Sequence, residues 1–341
     1  MGSVDYVRSN SFWRVDRIMP LDVVGIGEVL IDFVGTEPGS YVDVPAFQKC
    51  FGGAPMNTLV GVVRLGLKSG AITAVGDDPF GKFLISELQK NGVDTSHVKI
   101  KKGMRTTISF VANEPKTGER SFIFYRKPWV SGTADSSLTV EDLDLDYISN
   151  AKILHVSGFS LSQNPSRKTI LAAVEYARSS GVQISFDPTL RLDVWNSIRT
   201  IRRIYAKMLR MSDIATFSQE EASFIFGTDD PEKAARKALR YGIEVVGIKM
   251  GSEGALLQRR TGEKSIYPAY KVHAIDTTGA GDGWNAGLLV GLIKGWDLDK
   301  CLLVANAVGA LVVTKHGAIT ALPYKDDLKE FLKAHKIDVD I

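Results

Sequence analysis

After residue 150 the chain alternates with a regular period between short β-rich apolar runs and stretches of helical spacing. AKILHVSG is followed by SRKTILAAVEYARSSG and then VQISFDP. IATFS is followed by QEEASFIFG and PEKAARKALRYG and then EVVGIKMG. Short strands separated by helices of about 10–15 residues imply βαβ units and a mostly parallel sheet with helices on both faces. The expected fold class is therefore α/β. The first half begins in the same rhythm. VVGIGEVLIDFV (23–34) reads as one strand, GGAPMNTLVGVVRLG (52–66) as a helix, SGAITAV (69–75) as a strand and FGKFLISELQKNG (80–92) as a helix closed by Gly92.

Two stretches break that rhythm. RTTISFVAN and RSFIFYR flank EPKTGE and read as a β-hairpin, and YVDVPAFQKC (41–50) is another extended segment. Both are expected to form a small β-layer projecting from the main sheet. Near the C-terminus, GALLQRR and KSIYPAYKV read as a strand pair. SIYPAYKVHAI then leads as a strand into DTTGAGDGWNAG (276–287). Two apolar helices follow, GDGWNAGLLVGLIKG and DKCLLVANAVGALVVTKHG. No internal repeat or Pro/Gly/Ser linker divides the chain, which predicts a polar extension over 1–20 and one domain over 21–341.

Composition excludes several functions. The 341 residues are 44% hydrophobic, enough for a sizeable core, and the net charge of +3 is spread along the chain. No basic stripe interleaved with aromatics appears, so no nucleic-acid partner is expected. No apolar run of about 20 residues could span a membrane. The first twenty residues hold no run of signal-peptide length. The two cysteines, Cys50 and Cys301, make no disulfide framework, which points to a reducing, cytoplasmic compartment. The five histidines show no metal-ligand spacing, and no G-x-S-x-G is present.

Three glycine-rich stretches compete for the phosphate chemistry. GIGEVL (25–30) lacks the third glycine of a dinucleotide fingerprint and stays β-like after it. GVVRLGLKS (61–69) has Leu67 between its second glycine and Lys68-Ser69, and it lies in a helical pattern. DTTGAGDGWNAG fits better. Gly279, Ala280 and Gly281 fall at a helix N-terminus, where unsatisfied N–H groups and the helix dipole favour an anion and small side chains let it approach. An acid at Asp282 would repel a merely bound phosphate. It makes sense as a base that takes a proton from an alcohol while the amides stabilise charge on a transferring phosphoryl group.

DTTGAGDGWNAGLL resembles the C-terminal signature of the ribokinase-like (PfkB) carbohydrate kinases. FGGAPMNTLVGVVRLG followed by GDDPFG resembles their N-terminal signature region. The resemblance covers about residues 21–325. It implies a ribokinase-like domain whose segments near 35–50 and 104–128 form a lid, and closure of that lid would exclude water. It implies Asp282 as catalytic base, with Gly279, Ala280 and Gly281 completing the anion hole, and Asp276 and Thr278 near a monovalent-cation (K⁺) site. In SQEEA, Glu221 matches the acid that helps place Mg²⁺ and phosphates, although the motif's asparagine is Ser218 here. For the sugar it implies Asp32, Gly52, Gly53 and Asn57, with Arg126 reaching in from the small β-layer and Asp187 and Arg191 at a strand end. Many fructokinase-like members carry asparagine where Thr189 stands, so Thr189 is left outside the site. For ATP it implies Lys249, Gly251 and Gly254, with Asn306 and Gly309, bordering adenine and ribose.

PAFQKCFGGAPMN, FYR and DPTLRLDVW look most like the fructokinase branch. The expected substrate is fructose or a similar hexose. The 2-keto-3-deoxygluconate kinase branch shares this outline, and a sugar acid could be met by Arg105, Arg126 and Arg191. A ribose, nucleoside or polyol kinase is a further alternative. A non-catalytic sugar or nucleotide sensor is the reading from another class. A shared lid would allow a homodimer.

Overall fold

The computed structural model describes residues 21–113, 120–337, 339 and 341. Residues 1–20, expected as a polar extension, and residues 114–119 (EPKTGE), 338 and 340 lie outside them. In chain order the strands are β1 (Leu21–Ile26), β2 (Leu30–Gly35), β3 (Phe47–Gly52), β4 (Ser69–Gly76), β5 (Asp94–Lys101), β6 (Ile108–Asn113) and β7 (Arg120–Tyr125). They continue with β8 (Ala151–Ser157), β9 (Gln183–Asp187), β10 (Ile214–Ser218), β11 (Val245–Lys249), β12 (Ala255–Arg259) and β13 (Lys264–Tyr267).

Nine strands form the main sheet in the order β13-β12-β11-β10-β9-β8-β1-β4-β5. Pairing is parallel from β5 to β11 and antiparallel at β12 and β13. Side chains alternate between two cores along each strand. In β1, Val23 joins one core and Val24 the other. Helices Ala54–Arg64, Ala280–Ile293 and Leu298–Val312 cover the first face, and Ser166–Ser179, Ile198–Met211 and Pro231–Leu239 cover the second. Burial on both faces explains why the strands read as continuous apolar runs.

The chain adds β4 and β5 on one side of β1 and then β8 to β13 on the other. The order therefore reverses at β1, and open α/β sheets bind ligands beyond the C-terminal ends of the strands at such a switch point. A second sheet, β3-β2-β6-β7, stands over that crevice. In it β2 pairs β6 in parallel, and β2–β3 and β6–β7 are antiparallel.

Several expectations are corrected. Residues 23–34 are two strands in two sheets. The chain leaves the main sheet after Ile26, and Val29, Leu30 and Ile31 are as buried as the residues before the break, so hydrophobicity alone cannot show it. The strand leading to the glycine turn ends at Tyr267, and residues 268–279 carry no regular structure. Within 41–50 only Phe47 onward is a strand. Strand β5 and helices Ile198–Met211 and Lys325–Ala334 were not anticipated.

Candidate active site

Helix Ala280–Ile293 begins after Gly279, which sits at φ 77° in the left-handed region that glycine adopts without penalty. A side chain there would also meet Ala318 at 2.8 Å. The N–H groups of Gly281 and Asp282 have no carbonyl four residues back within the helix and face outward from its end. The Lys249 ammonium lies 3.4 Å from the point where a side chain on Gly281 would begin. Two open amides, a helix N-terminus and a cation thus converge on one spot. Such an arrangement can receive phosphate oxygens, as an anion cradle.

The cradle opens into a cavity of about 950 Å³ between the two sheets. Asp282 lines it, and its Oδ2 accepts a hydrogen bond from Asn57 Nδ2 at 2.8 Å. Burial pushes the Asp282 carboxyl up to about 6, with the nearby Asp187 charge adding to the rise. The Asn57 bond and the Lys249 and Arg191 cations pull the other way. A carboxylate in that range is ionised at neutral pH yet basic enough to accept a proton from a hydroxyl.

Asp187, at the end of β9, lines the cavity beside Lys249. Its Oδ2 pairs with Lys249 Nζ at 2.7 Å and accepts from Asn285 Nδ2 at 2.7 Å, and Oδ1 accepts from the Thr189 N–H and hydroxyl. Burial would raise this carboxyl. The Lys249 cation and the donors outweigh burial and hold it well below the usual carboxylate range. Asp187 therefore fixes Lys249 beside Gly281. This differs from the expected place of Lys249 at the ribose. Thr189 also lines the cavity, at φ 39°. Asparagine tolerates that left-handed backbone better than a β-branched residue does.

At the opposite end, Asp32 accepts a short hydrogen bond from Ser109 Oγ, and burial pushes its carboxyl up to about 6. Gly53 sits at φ 120°, and a side chain there would meet the Glu28 carbonyl oxygen at 2.6 Å. The glycine lets helix Ala54–Arg64 start against the β1–β2 turn and so places Asn57. The Asn57 Oδ1 is buried without a partner among the described residues. Gly52 packs against Asp32 just outside the cavity wall.

Sequence reasoning missed several lining residues. Glu28 is buried and accepts from Ser157, Ser160 and the Ala54 N–H, and burial pushes its carboxyl up to about 7. Phe122, Phe124 and Phe159 form an apolar wall, and the Arg191 guanidinium lies 4.7 Å over the Phe122 ring. The β-period of RSFIFY carried the signal. Positions 120, 122 and 124 share one face, and all three line the cavity.

Other expected residues are placed elsewhere. Arg126 does not line the cavity. It is fully buried, with Nε on Asp135 at 2.7 Å, Nη1 on Ser162 Oγ at 2.7 Å and the guanidinium 4.8 Å from the Phe159 ring centre. Asn306 does not line the cavity either. It accepts from Trp284 Nε1 at 2.8 Å and donates to the carbonyls of Tyr267 and Pro268. Gly309 lies between the two C-terminal apolar helices, against Ala280 and Trp284, and Gly254 packs on the backbone of Tyr267 and Pro268. Gly251 does line the cavity, near Gln219 and Ser252. The exposed Arg105 is joined by its backbone to Thr133 and is not a wall residue.

Glu221 lines the cavity, but both its oxygens are taken, one by the Leu190 N–H and one by the Ser218 N–H, each at 2.8 Å. Ser218 Oγ accepts in turn from the Glu221 N–H. This is a reciprocal capping box, and it explains why serine serves where the motif has asparagine. Asp276 accepts from the Thr278 N–H and hydroxyl through Oδ1 and from the Gly317 N–H through Oδ2, and it pairs with Arg120 at 3.3 Å.

The pfkB family carbohydrate kinase model matches residues 21–325. The chain belongs to that family. It is a carbohydrate kinase, a phosphotransferase acting on a sugar hydroxyl. Among its relatives, probable fructokinase-7 of Arabidopsis thaliana is 38% identical over 323 residues, covering 92% of each chain. The 5-dehydro-2-deoxygluconokinase of Geobacillus kaustophilus is 32% identical over 332 residues, covering 96% of this chain and 98% of its own. A double-mutant fructokinase from Vibrio cholerae, solved with fructose, ADP and a potassium ion, superposes with TM-score 0.80 at 32% identity, over 93% of this chain and all of that one. This kinase therefore has a solved homologue that binds a sugar, a nucleotide and a metal ion.

Proposed function

We propose that this sugar kinase transfers the γ-phosphoryl group of Mg-ATP to a hydroxyl of a neutral hexose, with fructose as first choice. The observation that carries the reading is the position of Asp282. Its carboxylate faces the cavity from the first turn of the helix whose amides form the anion cradle, and Asn57 of the sugar end holds it. A hydroxyl placed against Asp282 is deprotonated as the cradle, Lys249 and the helix N-terminus take up charge on the phosphoryl oxygens. Asp32 accepts from sugar hydroxyls, the free Asn57 Oδ1 accepts another, and the phenylalanine wall takes the C–H face. Mg²⁺ supplies charge neutralisation between donor phosphates. Among the described residues no group of three or more acidic, histidine or cysteine side chains could hold a metal. With Glu221 engaged on backbone N–H groups, its help to the metal runs through water. A K⁺ near the loop at Asp276 and Thr278 is proposed on the potassium-bound fructokinase relative alone, because the Arg120 guanidinium already meets both side chains.

The fructokinase relatives support fructose. The second reading, a keto-deoxy sugar acid, rests on Arg191. Its guanidinium lines the cavity with the Leu190 carbonyl as its hydrogen-bond partner, and a 5-dehydro-2-deoxygluconokinase is among the relatives. We further propose pairing of two copies through the outer face of the small sheet, where Ile123 and Tyr125 are exposed. A cytoplasmic location is proposed on the free thiols Cys50 and Cys301, and no described helix is long and apolar enough to cross a membrane.

The test is ADP release from Mg-ATP with fructose, glucose, ribose, adenosine, inositol and 2-keto- or 5-keto-deoxygluconate, with Asp282→Asn as control. Asp282-dependent turnover with fructose supports the first reading. Turnover confined to a sugar acid transfers it to the second. ATP binding without turnover on any acceptor counts for a sensor.

A further inference from the structure

Arg120 is the one charged residue of the cavity-facing row 120, 122 and 124 on β7. Its guanidinium crosses from the small sheet to the loop immediately before the glycine turn. Nη1 meets Thr278 Oγ1 and, at 3.3 Å, Asp276 Oδ1, and Nη2 meets Thr277 Oγ1. The pair is not a surface ion pair, because the Arg120 and Asp276 side chains are 16% and 6% exposed. Asp276 also binds the N–H groups of Thr278 and Gly317, so it is the hub of the loop that ends in Gly279–Asp282. The guanidinium fork therefore braces three consecutive residues directly upstream of the anion cradle. Further along the same row, Phe122 lies under Arg191, and Phe124 packs on Phe159 with ring centres 5.0 Å apart. The row thus meets the loop before the glycine turn at Arg120 and the apolar wall at Phe124.

We propose that Arg120 is a positioning residue that couples the small sheet to the anion cradle, so that the cradle is ordered for transfer when the sheet is seated over the sugar. The kinetic part of this inference rests on the sugar-kinase reading above, but the mechanical part does not. The guanidinium holds the loop whether or not the acceptor is fructose. Lysine at this position could meet Asp276 but could not also reach both threonines, because one ammonium cannot reproduce a planar fork.

The experiment uses the full chain with Arg120→Ala and Arg120→Lys. Amide hydrogen exchange without ligand reads the mechanical part. In Arg120→Ala the amides of 276–282 are expected to exchange at least about tenfold faster, with helix Ser166–Ser179 unchanged. The kinetic readout is sugar-dependent ADP release divided by sugar-independent ATP hydrolysis. That ratio is expected to fall at least about tenfold in Arg120→Ala, to recover partly in Arg120→Lys, and to do so with ATP affinity within about twofold of wild type. Unchanged exchange over 276–282 overturns the proposal even if the protein loses thermal stability. An unchanged ratio in an active wild-type background overturns it as well. An ATP affinity weakened by more than about tenfold overturns it by making Arg120 a nucleotide ligand. A wild-type protein that turns over no acceptor defeats the sugar-kinase reading alone, and the exchange result then decides the role of Arg120.

Discussion

Asn57 and Asp282 lie 225 positions apart, and the amide Nδ2 of one donates to the carboxylate Oδ2 of the other at 2.8 Å. This bond joins the first turn of helix Ala54–Arg64 to the first turn of helix Ala280–Ile293 at the carboxylate proposed as the base. It also tunes the base. Donation to the ionised carboxylate favours the charged form, against the burial that pushes Asp282 up to about 6. Sugar-dependent kcat is therefore expected to fall on acidification through about pH 6. Asn57→Ala removes the donor, so Asp282 holds its proton to higher pH and the acid limb moves upward. A kcat–pH profile of both proteins checks this, and an unmoved limb would deny Asn57 its role. Asp282→Asn is expected to keep nucleotide binding and to lose turnover by at least about 10².

Arg126 and Asp135 form a fully buried ion pair. Removing one partner strands the other charge in the core, which costs about 3–5 kcal/mol, whereas replacing both with apolar residues is often neutral. Arg126→Ala is expected to lower the denaturation midpoint strongly. Arg126→Met combined with Asp135→Leu is expected to recover most of the loss together with the sugar KM. A double variant that is stable but has a sugar KM raised more than about tenfold would return Arg126 to the substrate site.

Arg126, which was expected at the sugar, and Arg120, which was not expected in the site, show what the sequence can and cannot carry. The parallel sheet was legible because its strands are apolar on both faces and its helices are not. The cradle was legible because DTTGAGD places small residues and an acid at a helix start, which is local chemistry. Arg120 opens β7 and Arg126 directly follows its end, six residues apart and so of the same parity, and periodicity cannot say which one reaches the cavity. That choice is made by Asp135, nine residues on, and by Asp276, 156 residues on. Glu28 stayed hidden because 23–34 reads as one strand, although the chain leaves the main sheet at Gly27-Glu28. Ser218 looked like a departure from a motif until its capping bond to Glu221 was seen.

Asn306 makes three hydrogen bonds, to Trp284, Tyr267 and Pro268, and none of these groups lines the cavity. Asn306→Ala leaves a buried indole N–H and two carbonyls short of partners, at about 1–3 kcal/mol for each group that water cannot reach. Stability is expected to fall by a few kcal/mol while ATP affinity stays within about twofold. Equilibrium unfolding together with ATP titration separates the two effects. A selective loss of ATP affinity at unchanged stability would restore Asn306 to the nucleotide site.

Lys249 and Asp187 lie at 2.7 Å, largely buried, where the ammonium faces both the carboxylate and the anion cradle. Lys249→Met leaves Asp187 with its Asn285 and Thr189 donors but no cation, and a buried charge that loses its partner costs about 3–5 kcal/mol. The sign of the pH dependence follows from Asp187. Its folded-state carboxyl is depressed, so the stability it contributes is fully present above the ordinary carboxylate range near 4 and is lost as pH falls below it. The stability gap between wild type and Lys249→Met is therefore expected to be widest near neutrality and to narrow below about pH 4. Turnover is expected to fall across the whole pH range, because the cradle has lost its cation. Urea unfolding at pH 7 and pH 3.5 checks the first statement and ADP release the second. A stability gap as wide at pH 3.5 as at pH 7 would mean that Lys249 acts by packing, with Asp187 no longer its electrostatic partner.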